Sequence, residues 1–198
     1  MLQQTQVARV VPKYAEFLRT FPTLRSISAS TPARVCEAWE GLGYYARARN
    51  LHKLAEQVTA GGRRCGTLPA RPDELRALPG IGAYTAGAVA SFAYETRAAL
   101  VDTNVARVLR RVFAPGLQPK TSAGQKELWR IAEAILPRTG RATWTHNQAL
   151  MELGALICTA RVARCGECPV RSCCATAVAA GVPRARSSRA PAVFQKTV

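Results

Sequence analysis

Residues 78–87 read Leu78-Pro79-Gly80-Ile81-Gly82-Ala83-Tyr84-Thr85-Ala86-Gly87, LPGIGAYTAG. A proline followed by two glycines two positions apart, set between helical patterns, lets the chain turn tightly and start a new helix at once. Such a hairpin offers backbone N–H groups and the positive end of a helix dipole, which together suit a phosphate, while Ile81 anchors the turn in apolar surroundings. Two glycines alone fit a plain interhelical loop equally well, so the surrounding sequence has to choose between these readings.

Working outward from the hairpin, helical patterns follow one another and no convincing alternating strand separates them, which predicts an all-α protein. Upstream, Pro12 starts or kinks a helix that Pro22 ends, and Thr31 caps a short helix with Pro32 in its first position. Gly41 and Gly43 break that run. A helix from Tyr45 to Thr59 is stopped by Gly61 and Gly62. Around the hairpin, Arg71–Gly82 reads as a short helix and turn, and Ala83–Tyr94 as a helix of small residues that permits close packing. Downstream, helices are expected over Thr103–Phe113, Ser122–Leu136 and Trp144–Cys158, with a short turn after Pro169. From Gly181 the composition shifts to Pro, Ser, Ala and Arg without an acid, the composition of a basic linker over 181–198.

Charge narrows the function. Lys and Arg number 28 against 12 Asp and Glu, a formal +16, with arginine supplying most of the positive charge. A high-GC codon bias explains arginine in place of lysine but not the excess itself, so the expected partner is a polyanion, bound in a salt-sensitive way. No stretch reaches the roughly 18 uninterrupted apolar residues of a membrane span, and the start lacks a signal-peptide pattern, which gives a cytoplasmic, nucleoid-associated expectation with no membrane partner.

Of the seven cysteines, Cys36 and Cys65 are scattered, whereas Cys158, Cys165, Cys168, Cys173 and Cys174 crowd into one stretch. In a reducing compartment this is a metal pattern rather than a disulfide framework. Four thiolates with a single Cys-x2-Cys pair suit an iron–sulfur cluster better than zinc, whose four-thiolate sites usually carry two such pairs. Between the hairpin and the cysteines lies VDTNVARVLRRV, in which Asp102 opens a helix after the apolar run Ala98–Val101. An N-cap accounts for that acid as readily as chemistry does.

Taken together, MLQQTQV, GLGYYARARNLHK, LPGIGAYTAGAVAS, VDTNVARVL, NQALMELGALIC and Cys158-x6-Cys165-x2-Cys168-x5-Cys174 resemble, in order and spacing, the helix-hairpin-helix DNA glycosylases, specifically the adenine glycosylase branch of the MutY type. The resemblance covers Met1 to about Gly181. It implies a six-helix barrel over residues 1–100 containing the 78–82 hairpin, and an iron–sulfur helical module over 101–180. It implies a 4Fe-4S cluster on Cys158, Cys165, Cys168 and Cys174, with Cys173 the spare thiol. That cluster performs no redox step in base removal and shapes the loop holding Arg161 and Arg164. The implied partner is double-stranded DNA carrying adenine opposite 8-oxoguanine or guanine, bound by a monomer.

The resemblance also distributes roles. Asp102 aligns with the catalytic aspartate that stabilises the sugar cation. Tyr44 aligns with an intercalating tyrosine, Gln4 with a second residue inserted into the duplex and Gln3 with its support. For neighbouring Tyr45 a buried position at the helix start is the expectation. Arg47, Leu78, Gly80, Gly82 and Tyr84 fall on the DNA-facing loop and hairpin, Asn104 orders the backbone beside Asp102, and Glu152 contacts the flipped adenine. A helix carboxylate paired with an arginine is the plain alternative for Glu152. His52 has no identifiable partner and receives no catalytic part.

Protonation of the leaving base requires a second acid, and in the family this is a glutamate two residues before the methionine of MLQQT. The expectation is therefore a chain shortened at both ends, lacking that glutamate and the NUDIX-like domain that usually follows the basic linker, with activity reduced or lost. Two other readings stay open. One is an endonuclease III-like glycosylase/lyase, disfavoured because Tyr84 stands where that branch places a Schiff-base lysine; the other is a non-catalytic DNA-binding module.

Overall fold

The structure is a computed structural model and describes residues 1–2, 5–60, 66–179 and 181. Gln3, Gln4, the Gly61–Gly62 stop, Cys65 and the linker after Gly181 lie outside the described residues. Among those described there is no strand, only one isolated antiparallel bridge between Cys158 and Ala163. Contacts divide the chain into two compact units, Met1–Ala98 and Ala99–Val198.

The first unit contains α1 (Val7–Thr20), α2 (Leu24–Ser28), α3 (Pro32–Ala38), α4 (Ala46–Thr59), α5 (Pro72–Arg76) and α6 (Ala83–Tyr94). Caps set several of these bounds. The Thr31 hydroxyl accepts the Arg34 N–H at 3.2 Å, and Pro32 occupies the first turn of α3. Pro12 falls inside α1. One core joins Val10 and Phe17 of α1 with Ile27, Val35, Trp39, Leu42, Ala48 and Ala55. Phe17 meets the Trp39 ring edge-on at 5.7 Å, a favoured aromatic arrangement. A second cluster, with Leu54, Leu75, Leu78, Ala86, Ala90 and Ala98, holds α5 and α6 together. The alanines of α6 are what let α5 approach it.

In the second unit α7 (Thr103–Phe113) is the hub, packed by α8 (Ser122–Ala134), α9 (Gly140–Glu152), a π-turn over Leu153–Ile157 and α10 (Ala175–Ala179). Val105, Val108, Leu109 and Val112 recur at helical spacing and supply its buried face. The expected single helix over Trp144–Cys158 differs from the structure. Thr139 caps α9 by accepting the Ala142 N–H at 3.3 Å, so the helix starts earlier, and it widens after Glu152 until the Cys158 N–H meets the Leu153 carbonyl at 2.7 Å. That extra residue per turn brings the Gly154 and Cys158 carbonyls to α7.

Candidate active site and metal centre

In the first unit the LPGIG segment forms the expected turn. The Ile81 N–H reaches the Leu78 carbonyl at 3.2 Å, and Gly80 adopts φ +75°, the left-handed region that glycine tolerates. Glycine is required there twice over, because a Cβ on Gly80 would lie 2.7 Å from the Asn50 Cβ. Leu78 is buried in the core, so it anchors the hairpin and cannot present its side chain to a ligand. Gly82 precedes α6 without a side-chain cap, and the first helical bond runs from the Ala86 N–H to the Gly82 carbonyl at 2.9 Å. The first turn of α6 therefore carries the positive end of the helix dipole. Tyr84 is half-buried in that first turn.

The Gly41–Tyr45 segment is a second exposed loop. Gly41, Gly43 and Tyr44 adopt φ +84°, +67° and +49°, and for tyrosine this left-handed backbone is a strained state of about 1–3 kcal/mol. The Tyr44 ring is 62% exposed. Tyr45 is exposed as well, contrary to the buried position expected for it, because it sits ahead of the first turn of α4, where no neighbouring helix covers it. Together with Thr5, Gln6 and Arg9 the loop borders an open cavity of about 520 Å³. Arg47 is half-buried and turned inward. Its guanidinium donates to the Met1 carbonyl at 2.7 Å, the Thr5 hydroxyl at 2.8 Å, and the Leu42 and Gly43 carbonyls at 3.2 and 3.1 Å. His52 is buried in the same unit, its Nε2 2.8 Å from the Ser30 carbonyl and its Nδ1 3.3 Å from Glu56, which is a structural role.

In the second unit Asp102 is both the N-cap of α7 and a fixed carboxylate. Oδ1 accepts the Val105 N–H at 2.6 Å, and Oδ2 accepts Asn104 Nδ2 at 3.3 Å. Asn104 is held in turn, because its Oδ1 accepts Arg107 Nη2 at 2.9 Å. Arg107 closes the chain by donating to the Cys158 carbonyl at 2.8 Å and the Gly154 carbonyl at 2.6 Å. Cap and chemistry are thus compatible: one oxygen is committed to the helix and the other is oriented by an amide. Glu152 is half-buried, and its Oε1 accepts Gln148 Nε2 at 3.0 Å; among the described residues no arginine pairs with it.

Cys158, Cys165, Cys168 and Cys174 line one cavity of about 290 Å³, walled by Val108, Val112, Leu153 and other apolar side chains. Cys173 is exposed and points elsewhere, its thiol 3.2 Å from the Val170 carbonyl. Burial pushes the Cys168 thiol above its ordinary pKa, and the neighbouring Cys158, Cys174 and Cys165 add to the shift. Arg111 spans the site: Nη1 lies 3.3 Å from Cys158 Sγ and 2.8 Å from the Thr159 carbonyl, while its own carbonyl accepts the Cys174 thiol at 3.4 Å. Among the described residues no three of His, Cys, Asp and Glu converge on a point that could hold one metal ion. The four thiols stand instead around a space.

Sequence reasoning missed Arg107, Arg111 and Gly154, and read Arg47 as a DNA contact. The one local signal was the i, i+3 spacing of Asn104 and Arg107, which places both on one face of α7.

Comparisons with known proteins show the family. The chain is 43% identical over 173 residues to the adenine DNA glycosylase of Mycolicibacterium smegmatis, covering 87% of this chain and 57% of that protein. It is 41% identical over 175 residues to the adenine DNA glycosylase of Homo sapiens, covering 88% of this chain and 31% of that one. The chain therefore spans between about a third and somewhat over half the length of these relatives. Among solved structures, a thermostable thymine-DNA glycosylase superposes with a TM-score of 0.79 at 28% identity, over 90% of this chain and 80% of that chain. A trapped endonuclease III–DNA covalent intermediate gives 0.74 at 25%, over 91% and 81%. Residues 1–134 match the family described as HhH-GPD superfamily base excision DNA repair protein, and the chain belongs to that family.

Proposed function

We propose that the chain is the catalytic portion of an adenine DNA N-glycosylase, acting on adenine opposite 8-oxoguanine or guanine in double-stranded DNA. The observation that carries this reading is the Asp102 carboxylate, fixed by the Val105 N–H and by Asn104. Cleaving a base from deoxyribose develops positive charge on the sugar, and a carboxylate held in place stabilises that charge without reorganising. Extruding the base leaves a gap, which the exposed Tyr44 ring is suited to fill. The positive end of the α6 dipole beside the Gly80–Gly82 turn suits a DNA phosphate. No helix among the described residues is long and apolar enough to cross a membrane.

The cysteine site fits a 4Fe-4S cluster. Four thiols distributed around a cavity of about 290 Å³ suit a centre in which each iron takes one cysteine, whereas a single zinc requires all four sulfurs within about 2.3 Å of one point. Cys158, Cys165, Cys168 and Cys174 would hold it. The cluster would supply a fold constraint rather than an electron, tying the Cys158–Arg164 loop to α7 through Arg111.

Single-turnover excision and binding of a non-cleavable 2′-fluoro analogue, with adenine opposite 8-oxoguanine, test the assignment. The expected results are tighter binding than to an A:T duplex, an abasic product that forms slowly and is lost in Asp102→Asn, and no borohydride-trapped adduct on α6. Excision that survives Asp102→Asn, release of a pyrimidine in place of adenine, or the lack of both excision and binding preference refutes it.

A further inference from the structure

Arg47 lies at the centre of the Tyr44 loop and is consumed by it. Its Nη1 holds the Met1 carbonyl, and its Nη2 is shared by Thr5 Oγ1 and the Leu42 and Gly43 carbonyls. The Thr5 hydroxyl also donates to the Leu42 carbonyl at 3.1 Å, which closes a ring of bonds between the N-terminal segment and the loop. The guanidinium carbon stands 5.5 Å from the centroid of buried Trp39 and 5.6 Å from that of exposed Tyr44. Trp39 is itself fixed against Phe17, so Arg47 connects a rigid ring in the core to a mobile-capable ring at the surface.

The loop needs such a tie. Three left-handed residues within four positions are unfavourable, and among the described residues a Cβ at Gly41 or Gly43 would meet nothing, so backbone conformation accounts for glycine there. Tyr44 takes that conformation with a side chain attached. Strain of this kind persists only where surrounding bonds over-determine it, and carbonyls that turn inward to one planar, five-donor group do so.

We propose that Arg47 is a positioning residue that holds Tyr44 in its left-handed backbone with the ring presented for insertion into the duplex, and that it makes no phosphate contact of its own. The proposal rests on the reading of Tyr44 as the inserted ring. A lysine keeps the charge but cannot span these acceptors, so Arg47→Lys separates positioning from electrostatics.

The test is binding to a duplex carrying a tetrahydrofuran abasic analogue opposite 8-oxoguanine, measured across a salt series for Arg47→Lys, Arg47→Gln, Tyr44→Ala and the Arg47→Gln/Tyr44→Ala pair. Circular dichroism establishes folding first, and Arg47→Lys carries the test if Arg47→Gln does not fold. Both Arg47 variants should lose about tenfold in affinity, as misplacement of a positioned group does, with the slope of log K against log salt unchanged. Added to Tyr44→Ala, Arg47→Gln should cost less than about twofold, because coupled residues are not additive. A slope reduced by about one, with Arg47→Lys behaving as the parent, would mean a direct phosphate contact and overturn the proposal. So would full additivity. If Tyr44→Ala itself binds as tightly as the parent, the inserted-ring reading has failed and the role of Arg47 falls with it; a harmful Tyr44→Ala beside a harmless Arg47→Gln refutes Arg47 alone.

Discussion

Gly154→Ala is the substitution that most directly tests whether the π-turn and α7 act as one body. A Cβ at 154 would lie 2.8 Å from the Asn104 Cβ and 3.1 Å from both its carbonyl carbon and oxygen. Carbon atoms rest at about 3.5–4.0 Å, so the turn and the helix must part by roughly 1 Å. No rotamer relieves the clash, because the opposing atoms are backbone and Cβ. Overpacking of this kind costs about 1–3 kcal/mol. The same displacement pulls the Gly154 carbonyl away from Arg107, now 2.6 Å distant, and a hydrogen bond to a charged group contributes about 1.5–3 kcal/mol. The two effects share atoms and do not add in full, which gives an expected loss of about 2–5 kcal/mol.

Urea unfolding of Gly154→Ala beside Gly166→Ala reads this loss. Nothing lies within 4 Å of a Cβ at 166, and that substitution should stay within about 0.5 kcal/mol of the parent. On the proposed function, because Asn104 orients Asp102, excision by the folded fraction of Gly154→Ala should also slow by at least about tenfold. An unfolding midpoint for Gly154→Ala indistinguishable from that of Gly166→Ala would show that the turn yields freely, and the chain of contacts from Gly154 to Asp102 would have no energetic meaning.

Two further outcomes follow from side-chain direction and burial. With the proposed cluster assembled without oxygen, Cys174→Ser should lose iron and broad visible absorption while Cys173→Ser keeps both, since Cys174 and not Cys173 faces the cavity; the reverse pattern would reassign the ligand. Burial holds the His146 imidazole below its ordinary pKa of 6.5, and among the described residues its buried Nε2 has no hydrogen-bond partner. The unfolded chain then binds that proton more readily than the folded one, so stability falls as pH drops below about 6.5 towards the folded value. His146→Phe should flatten urea midpoints across that interval, and an unchanged slope would show that other groups cause it.

What the sequence made legible was what short-range chemistry determines. The bounds of α6 and α7 follow from Gly82 and Asp102 at their starts, and the hairpin from a proline and two glycines. Spacing singled out Cys174 over Cys173, and the structure puts Cys174 on the cavity with Cys158, Cys165 and Cys168 while Cys173 is exposed. The π-turn was illegible because its cause is distant: Leu153–Ile157 widens where Gly154 meets Asn104, some fifty positions earlier. Glu152 was expected on an arginine or a base and lies on Gln148, a partner one helical turn away that an amide supplies as well as a cation. Tyr45 was misplaced because helical periodicity says nothing about a residue just ahead of the first turn.

The arginines carry the same lesson into function. A net charge of +16 reads as a surface built for a polyanion, yet three guanidinium groups are directed at protein carbonyls: Arg47 at the N-terminal loop, Arg107 at the π-turn and Arg111 at the cysteine loop. Carbonyl dipoles satisfy their donors without neutralising their charge. On the proposed function each adds to the long-range potential around the chain but displaces no counterion from a phosphate, since counterion release counts only charges that reach the backbone. Arg164 is exposed but already donates to the Leu156 carbonyl and stands 3.4 Å from Glu167; neighbouring Arg161 is exposed at the edge of the same cavity. Association rate and salt slope should then respond differently. Replacing Arg161 with Gln should lower the slope of log K against log salt by about one, whereas replacing Arg111 with Gln should leave the slope intact and instead weaken retention of the proposed cluster. A slope that falls equally for both would place Arg111 on DNA and contradict the inward geometry on which this division of the arginines depends.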